Sequence, residues 1–252
     1  MDKYGLVGYP LGHSFSKGFF NDKFSAESID AQYINFELPS IDELPQVLAD
    51  HPELRGLNVT IPYKQKVMEY LDDIAPEARA IGAVNVVRVR HDSKGNPILK
   101  GFNSDVIGFV RSIQPLLKTH HRKALILGTG GASKAIHYGL TQKLGLETVF
   151  VSRYERPGCV TYSSLTPEAM NEYEVIVNCT PSGMYPNTEE CPDIPYDCLT
   201  NRHLLYDLVY NPEETLFMKR GAAKGATVKN GLEMLILQAI ASWEFWNEEN
   251  ED

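Results

Sequence analysis

The stretch ALILGTGGASKA, residues 124–135, constrains this chain more than any other. An unbroken apolar run passes straight into glycines and then into small and polar residues. That order describes a buried strand, a tight turn and the start of a helix. Gly128 and Gly130 let the backbone turn and come close to a pyrophosphate, and the helix start beyond them offers free N–H groups and the positive end of its dipole. Ser133 stands where the third glycine of a dinucleotide fingerprint is usual. The alternative is a strand-to-helix turn that holds no ligand.

The surrounding pattern repeats this alternation. From Lys123 onward come strand ALILG, a helix from Gly131 to about Lys143, strands TVFVSR, EVIVNCT and HLLYDLVY, helix ETLFMKRGAAKG and strand TVKN. This is a doubly wound series of about 110 residues, an ordinary domain size. Before it, KYGLVG, QYINFEL and LRGLNVTI read as strands, with Phe15, Phe19, Phe20 and Phe24 at helical spacing and a Ser40/Glu43 capping box before a second helix. VNVVRVR and ILKGFN form a hairpin, and a helix from about Val106 to Leu117 leads away from it. The closing GLEMLILQAIASWEFW is apolar on nearly every face and is expected to pack back on the first domain. The expected fold is therefore a two-domain α/β protein. A mixed, mostly parallel α/β domain covers residues 1–104 and 232–252, and a Rossmann-type (doubly wound) dinucleotide-binding domain covers 105–231.

Composition narrows the function. A formal net charge of -9 argues against nucleic-acid binding, and no apolar run is long enough to span a bilayer. The N-terminus lacks the basic region and apolar core of a signal peptide, so a cytoplasmic location is expected. Cys159, Cys179, Cys191 and Cys198 show no zinc or disulfide spacing and read as reduced, buried thiols. The acidic end NEENED reads as a frayed tail.

Two charged positions point to chemistry. Where NAD-binding domains usually place an acid, the second strand of the doubly wound series ends in Ser152 and Arg153. A guanidinium suits a 2′-phosphate, which favours NADP over NAD, although Glu155 stands nearby. In NVTIPYKQKV, residues 58–67, the chain turns through Pro62 into a segment that opens with Lys64. A cation in the first turn of a helix faces the positive end of the dipole and predicts a nearby anion; otherwise Lys64 is a solvated lysine. Asp105, ahead of the helix that leaves the first domain, is by itself a helix cap, and read together with Lys64 it supplies that anion.

In GYPLGHSFSK, NVTIPYK, IGAVNVV, GFNSD, GTGGAS, NCTPSGM, YDLVYNPEETLF and KNGLEMLILQA, in this order and spacing, the chain resembles the shikimate dehydrogenase family over essentially its full length. The resemblance implies NADPH-dependent, reversible reduction of 3-dehydroshikimate to shikimate in aromatic amino-acid biosynthesis. It assigns Lys64 and Asp105 as a catalytic dyad. Ser14 and Ser16 would hold the substrate carboxylate, with Thr60, Asn85, Tyr210 and Gln238 also at the substrate. On the cofactor side it implies Gly128, Gly130, Gly131, Ala132, Ser152, Arg153, Thr180, Leu208 and Gly231. The chain departs from the family with GFNSD where GxNTD is common, Ser152 where Asn is common, Leu208 where Met is frequent, and Tyr154 where a small or basic residue is usual. His13, inside the first motif, reads as structural, and no metal site is expected.

The partners expected are the small-molecule substrate and the cofactor, with no nucleic acid or membrane, in a monomer or homodimer. Two rival readings are an NAD-using quinate/shikimate dehydrogenase, opposed by Arg153 and by Ser16, and a non-catalytic dinucleotide-binding regulator, opposed by the presence of Lys64, Asp105 and Gln238. A third is another two-domain NADP dehydrogenase for a small acid. The loop 180–195 is long and proline-rich for a mere connection, and the resemblance implies that its start borders the nicotinamide.

Overall fold

The computed structural model describes residues 1–12 and 14–248; His13 and the acidic end from 249 lie outside the described residues. The chain divides into two compact units, one of residues Met1–Ser104 with the chain from Ala239 onward, the other of Asp105–Gln238. The second dividing line falls inside the last helix, α8 (Leu232–Asn247), seven residues later than the boundary read from sequence.

The first unit is a mixed α/β layer. Its strands are β1 (Asp2–Gly8), β2 (Ala31–Glu37), β3 (Leu54–Val59), β4 (Asp73–Ile74), β5 (Val86–His91) and β6 (Pro97–Phe102), in the order β2-β1-β3-β5-β6-β4. β1 runs parallel to β2 and β3, while β5 is antiparallel to both β3 and β6, so the expected hairpin is present and makes the sheet mixed. Helices α1 (Phe15–Ala26), α2 (Leu44–Asp50) and α3 (Pro76–Ile81) cover it. The two-residue β4 and α3 carry too little periodic pattern to be anticipated.

One side of this sheet is an aromatic core of Tyr4, Phe20, Phe24, Tyr33, Phe102 and Trp246. Rings such as Phe20 and Tyr33 stack with centroids 4.9 Å apart, and each fully buried ring contributes about 2–3 kcal/mol. Trp246 explains Gly56 on β3, because a Cβ there would collide with the indole, whose Nε1 donates to the Val87 carbonyl at 3.1 Å. The buried Arg88 guanidinium donates to the carbonyl of Glu248 at 3.1 Å, and Arg90 does the same. Cations thus satisfy carbonyls left open where α8 ends.

The second unit is a doubly wound sheet of β7 (Lys123–Leu127), β8 (Glu147–Ser152), β9 (Cys159–Thr161), β10 (Val175–Asn178), β11 (Leu204–Asp207) and β12 (Thr227–Lys229). The order is β12-β11-β10-β7-β8-β9 and every pairing is parallel. Ala124 and Ile126 of β7 enter one apolar core, and Leu125 and Leu127 enter another on the opposite face. Both faces are covered, which is why β7 reads as continuously apolar rather than alternating.

Helices α4 (Asp105–Ile113), α5 (Gly131–Tyr138), α6 (Pro167–Glu172), α7 (Leu216–Ala222) and the start of α8 complete the second unit. α4 stops at Ile113 and tightens into a 3-10 turn over Gln114–Leu116 containing Pro115, which has no N–H to continue an α-helix. α5 continues as a π-helical turn over Gly139–Lys143. α7 begins only at Leu216, because the Thr215 side chain accepts from the Met218 N–H and caps it there. β9 and α6 were not anticipated. The four cysteines are free but half-buried, a correction to the buried thiols expected: Cys159 lies on the edge strand β9, Cys179 and Cys191 in loops, and Cys198 in a 3-10 turn. No helix among the described residues is long and apolar enough to cross a membrane.

Candidate active site

In the first unit the chemistry-bearing residues collect at the ends of parallel strands, where open α/β folds place ligands. β1 ends at Gly8, and a Cβ there would press on the Thr60 methyl, so glycine lets this strand end come close to the chain beyond β3. The Thr60 N–H donates to the Val7 carbonyl at 2.9 Å and its carbonyl accepts from Tyr63 at 2.9 Å, which locks the turn that presents Lys64. The Lys64 carbonyl accepts from the Val84 N–H at 2.7 Å, placing Lys64 beside the segment that carries Asn85.

Lys64 does not face a helix dipole, contrary to the expectation. The segment after Pro62 is a turn, and the next element is a short 3-10 helix over Lys66–Tyr70 with Gln65 at its N-cap. Lys64 precedes that helix and does not sit in its first turn, because Tyr63 donates back to Thr60 and closes a turn first.

Asn85 is buried. Its side-chain N–H donates to Ser104 Oγ at 3.0 Å while its Oδ1 accepts from the Ser104 N–H at 2.7 Å. Ser104 Oγ lies 3.1 Å from Ser242 Oγ, which accepts from Asn58 Nδ2 at 2.9 Å, and Asn58 Oδ1 accepts from the Tyr33 hydroxyl at 2.8 Å. Tyr33 is also hydrogen-bonded to Ser16, so the chain of polar groups reaches the expected carboxylate pair; burial keeps its phenol neutral. Ser14 caps α1, accepting from the Lys17 N–H at 3.3 Å. That bond is compatible with a second role, since the hydroxyl keeps its own proton to donate.

In the second unit the glycine turn lies between β7 and α5. Gly128 has φ 102°, and a Cβ there would sit 2.9 Å from the Thr180 methyl, so only glycine fits both the conformation and the space. A Cβ at Gly130 would meet nothing within 4 Å, which leaves open room above the turn. Gly130 is the N-cap of α5 and makes no side-chain cap, while Gly131 and Ala132 begin the helix. Ser133 turns inward and donates to the Gly130 carbonyl at 2.6 Å, bracing the turn from beneath. An open cradle with an uncapped helix start fits the pyrophosphate of a dinucleotide.

At the end of β8, Ser152 is buried and its hydroxyl accepts from the Tyr154 N–H at 3.3 Å, while Arg153 and Tyr154 are exposed. Arg156 was missed in sequence. Its guanidinium donates to the Thr129 hydroxyl in the glycine turn at 3.2 Å, adding a cation to the region where Arg153 was expected to act. Nothing in spacing separated it from a solvated arginine.

Thr180 follows β10 and Leu208 follows β11, and the Leu208 N–H donates to the Asn178 carbonyl at 3.0 Å. A Cβ at Gly231 would strike the Leu208 carbonyl oxygen, so Gly231 allows this close approach. Tyr210 is 37% exposed and Gln238 is buried, its side-chain N–H donating to the Leu235 carbonyl at 2.9 Å. Asp105 is buried as the first residue of α4, not ahead of it as a cap. No group of three His, Cys, Asp or Glu among the described residues could hold a metal ion.

The chain is similar to known proteins over nearly its full length. The family profile described as the shikimate dehydrogenase substrate binding domain matches residues 6–87. A shikimate dehydrogenase (NADP(+)) of Desulforamulus reducens is 34% identical, over 96% of this chain and 88% of that protein. The crystal structure of shikimate 5-dehydrogenase from Thermus thermophilus, in complex with NADP(H) and shikimate, aligns with a TM-score of 0.84 at 29% identity, covering 100% of this chain and 95% of that one. A quinate dehydrogenase from Corynebacterium glutamicum in complex with NAD aligns with a TM-score of 0.85 at 25% identity, covering 100% and 95%. The chain belongs to the shikimate dehydrogenase family.

Proposed function

We infer that the protein is an NADP-dependent oxidoreductase, a shikimate dehydrogenase that reversibly reduces 3-dehydroshikimate to shikimate in aromatic amino-acid (chorismate) biosynthesis. The observation that carries this reading is full-length similarity to NADP-dependent shikimate dehydrogenases in a chain whose glycine turn is flanked by Arg153 and Arg156 rather than by an acid at the strand tip. We place the enzyme in the cytoplasm, as a monomer or homodimer.

The residues that would hold NADP are Gly128, Gly130, Gly131 and Ala132 at the pyrophosphate, Ser152, Arg153 and Arg156 toward the 2′-phosphate, and Thr180, Leu208 and Gly231 toward the nicotinamide. When bound, the cofactor supplies hydride to the ketone carbon. As the carbonyl is reduced, negative charge grows on its oxygen and must be met as it forms. Lys64 is the proposed donor, giving its proton to that oxygen in reduction and taking it back in oxidation. Asp105 is the proposed carboxylate that orients it. Ser14 and Ser16 hold the substrate carboxylate through hydroxyls without a fixed positive charge. Thr60, Asn85, Tyr210 and Gln238 contact the substrate hydroxyls and ring.

The likeness to an NAD-bound quinate dehydrogenase, with Glu155 two residues beyond Arg153, supports a second reading in which NAD and quinate serve. Purified protein incubated with shikimate or quinate, and with NADP or NAD, separates the two. We expect reduced NADP from shikimate, with kcat/KM at least about tenfold above that with NAD. Faster reduction of NAD would overturn the cofactor assignment, and no reduction with either would overturn the activity.

A further inference from the structure

The sites proposed above leave the most deeply buried carboxylate of the second unit, Asp207, without a role. Asp207 ends β11 and is fully buried, directly across the sheet from Asn178, which ends β10. Three donors converge on it. Asn178 Nδ2 and the Val209 N–H donate to Oδ1 at 2.9 and 3.0 Å, and the Thr215 hydroxyl donates to Oδ2 at 2.6 Å. Asn178 passes the arrangement on, because its Oδ1 accepts from both the N–H and the hydroxyl of Thr180, at 3.0 and 2.6 Å. Thr180 Oγ1 in turn accepts from the Ser182 N–H at 3.3 Å, and Asn178 Nδ2 also reaches the Ser182 carbonyl at 3.4 Å.

These bonds have a fixed sense. A carboxylate can only accept, so it commits the Asn178 amide group to donate toward Asp207. The amide cannot flip, and its oxygen must face Thr180. The hydroxyl proton of Thr180 is thereby held inward, and its methyl is set against Gly128 of the glycine turn. On the other side, the bond from Val209 fixes the backbone immediately after Leu208, whose carbonyl lies against Gly231. One buried anion therefore connects the two strand-end segments that carry Thr180 and Leu208. A buried carboxylate is costly, since burial pushes the Asp207 carboxyl up to about 6, and an apolar residue of similar size would fill the space without that cost.

We propose that Asp207 is a positioning residue for cofactor binding, acting through Asn178 and the Val209 backbone to hold Thr180 and Leu208 in the geometry that receives the nicotinamide half of NADP. This rests on the function proposed above. It predicts that removing the acceptor oxygens of Asp207 weakens cofactor binding while substrate recognition in the first unit is untouched.

The test uses the full-length enzyme and reads NADPH binding by fluorescence titration, turnover with shikimate and NADP, and amide hydrogen exchange in cofactor-free protein. Asp207→Ala is expected to raise the NADPH Kd about tenfold, leave the KM for shikimate within about twofold, and speed exchange at the Thr180 and Val209 amides about tenfold. Asp207→Asn keeps an oxygen for Asn178 and Val209 and is expected to restore the Kd to within about threefold of the wild type. Thr180→Val is expected to raise the Kd about fivefold in the wild type but less than about twofold in Asp207→Ala, because the two act along one path.

Wild-type Kd in a folded Asp207→Ala protein overturns the inference, as do purely additive effects of the two substitutions. If Asp207→Ala does not fold, Asp207→Ser, which keeps one acceptor, takes its place. If neither folds while Asp207→Asn is normal, the hydrogen bonds of this side chain serve folding and the inference falls. Absence of activity in the wild type would instead sink the proposed function, which the binding and exchange measurements distinguish.

Discussion

Both units bury a chain of hydrogen-bonded polar side chains at their strand ends, but the two chains are built differently. In the first unit Tyr33, Asn58, Ser242, Ser104 and Asn85 are all neutral, and each group can donate and accept. In the second, Thr215, Asn178 and Thr180 are organised by the carboxylate of Asp207. A neutral chain holds its bonds without a buried charge, whereas an anion commits every bond it receives to one direction and must be desolvated to do so. The difference teaches where directional precision is placed. The second unit places a charge inside its buried chain and uses it to set neutral groups.

The largest effect that would separate the two units is on Lys64. Lys64→Ala is expected to lower kcat by about 10²–10⁴ while NADPH affinity stays the same, as read by steady-state kinetics and fluorescence titration. Near-normal turnover at saturating substrate would remove the proton-donor role and leave Lys64 a binding residue.

The next concerns the buried carboxylate. Folding raises the Asp207 pKa from 3.8 to about 6, with burial as the main cause. The protonated form is thus favoured in the folded state, and its stabilisation is complete below the unfolded value and lost as pH rises through the folded one. The wild type is expected to lose about 3 kcal/mol across that window relative to Asp207→Asn, measured by urea unfolding from about pH 4 to about pH 8. Two titrating groups that feel Asp207, Cys179 and Tyr196, are each pushed upward by burial first and stay neutral across that range. A stability difference that does not vary with pH would contradict the comparison.

Arg156→Ala sharpens the cofactor side. It is expected to raise the KM for NADP about tenfold and leave the KM for NAD unchanged, since only one of them carries the phosphate. Equal losses with both cofactors would make Arg156 a brace for the glycine turn through Thr129 alone. The smallest effect is on the neutral chain. Tyr33→Phe leaves Asn58 Oδ1 without its donor and is expected to cost about 1 kcal/mol, equally at every pH from about 5 to about 8. A pH-dependent loss would mean that the first unit also hides a titrating group.

Much of this is legible in the sequence. The β7 strand, the glycine turn and α5 were readable because each carries its own local signal: continuous apolarity, glycine, and the loss of both where the helix begins. The mixed first sheet was readable from its hairpin. Short elements such as β4, α3, β9 and α6 were not, because two to six residues hold less than two periods of any pattern. Lys64 was misread for a related reason. The residues after Pro62 resemble a helix start, yet a single backbone bond from Tyr63 to Thr60 closes a turn there instead.

Sequence by itself determined the two α/β halves, the dinucleotide turn, the cation at the tip of β8 and the family, since these follow from nearest-neighbour chemistry and from the order of motifs. Only the tertiary structure decided that Asp207 faces Asn178, that Arg156 reaches Thr129, that Ser242 completes a polar chain begun by Tyr33, and that Gly56 makes room for Trp246. Each of these joins residues far apart in the chain. A desolvated hydrogen bond or a close ring contact depends on which strand ends meet, and no local pattern records that.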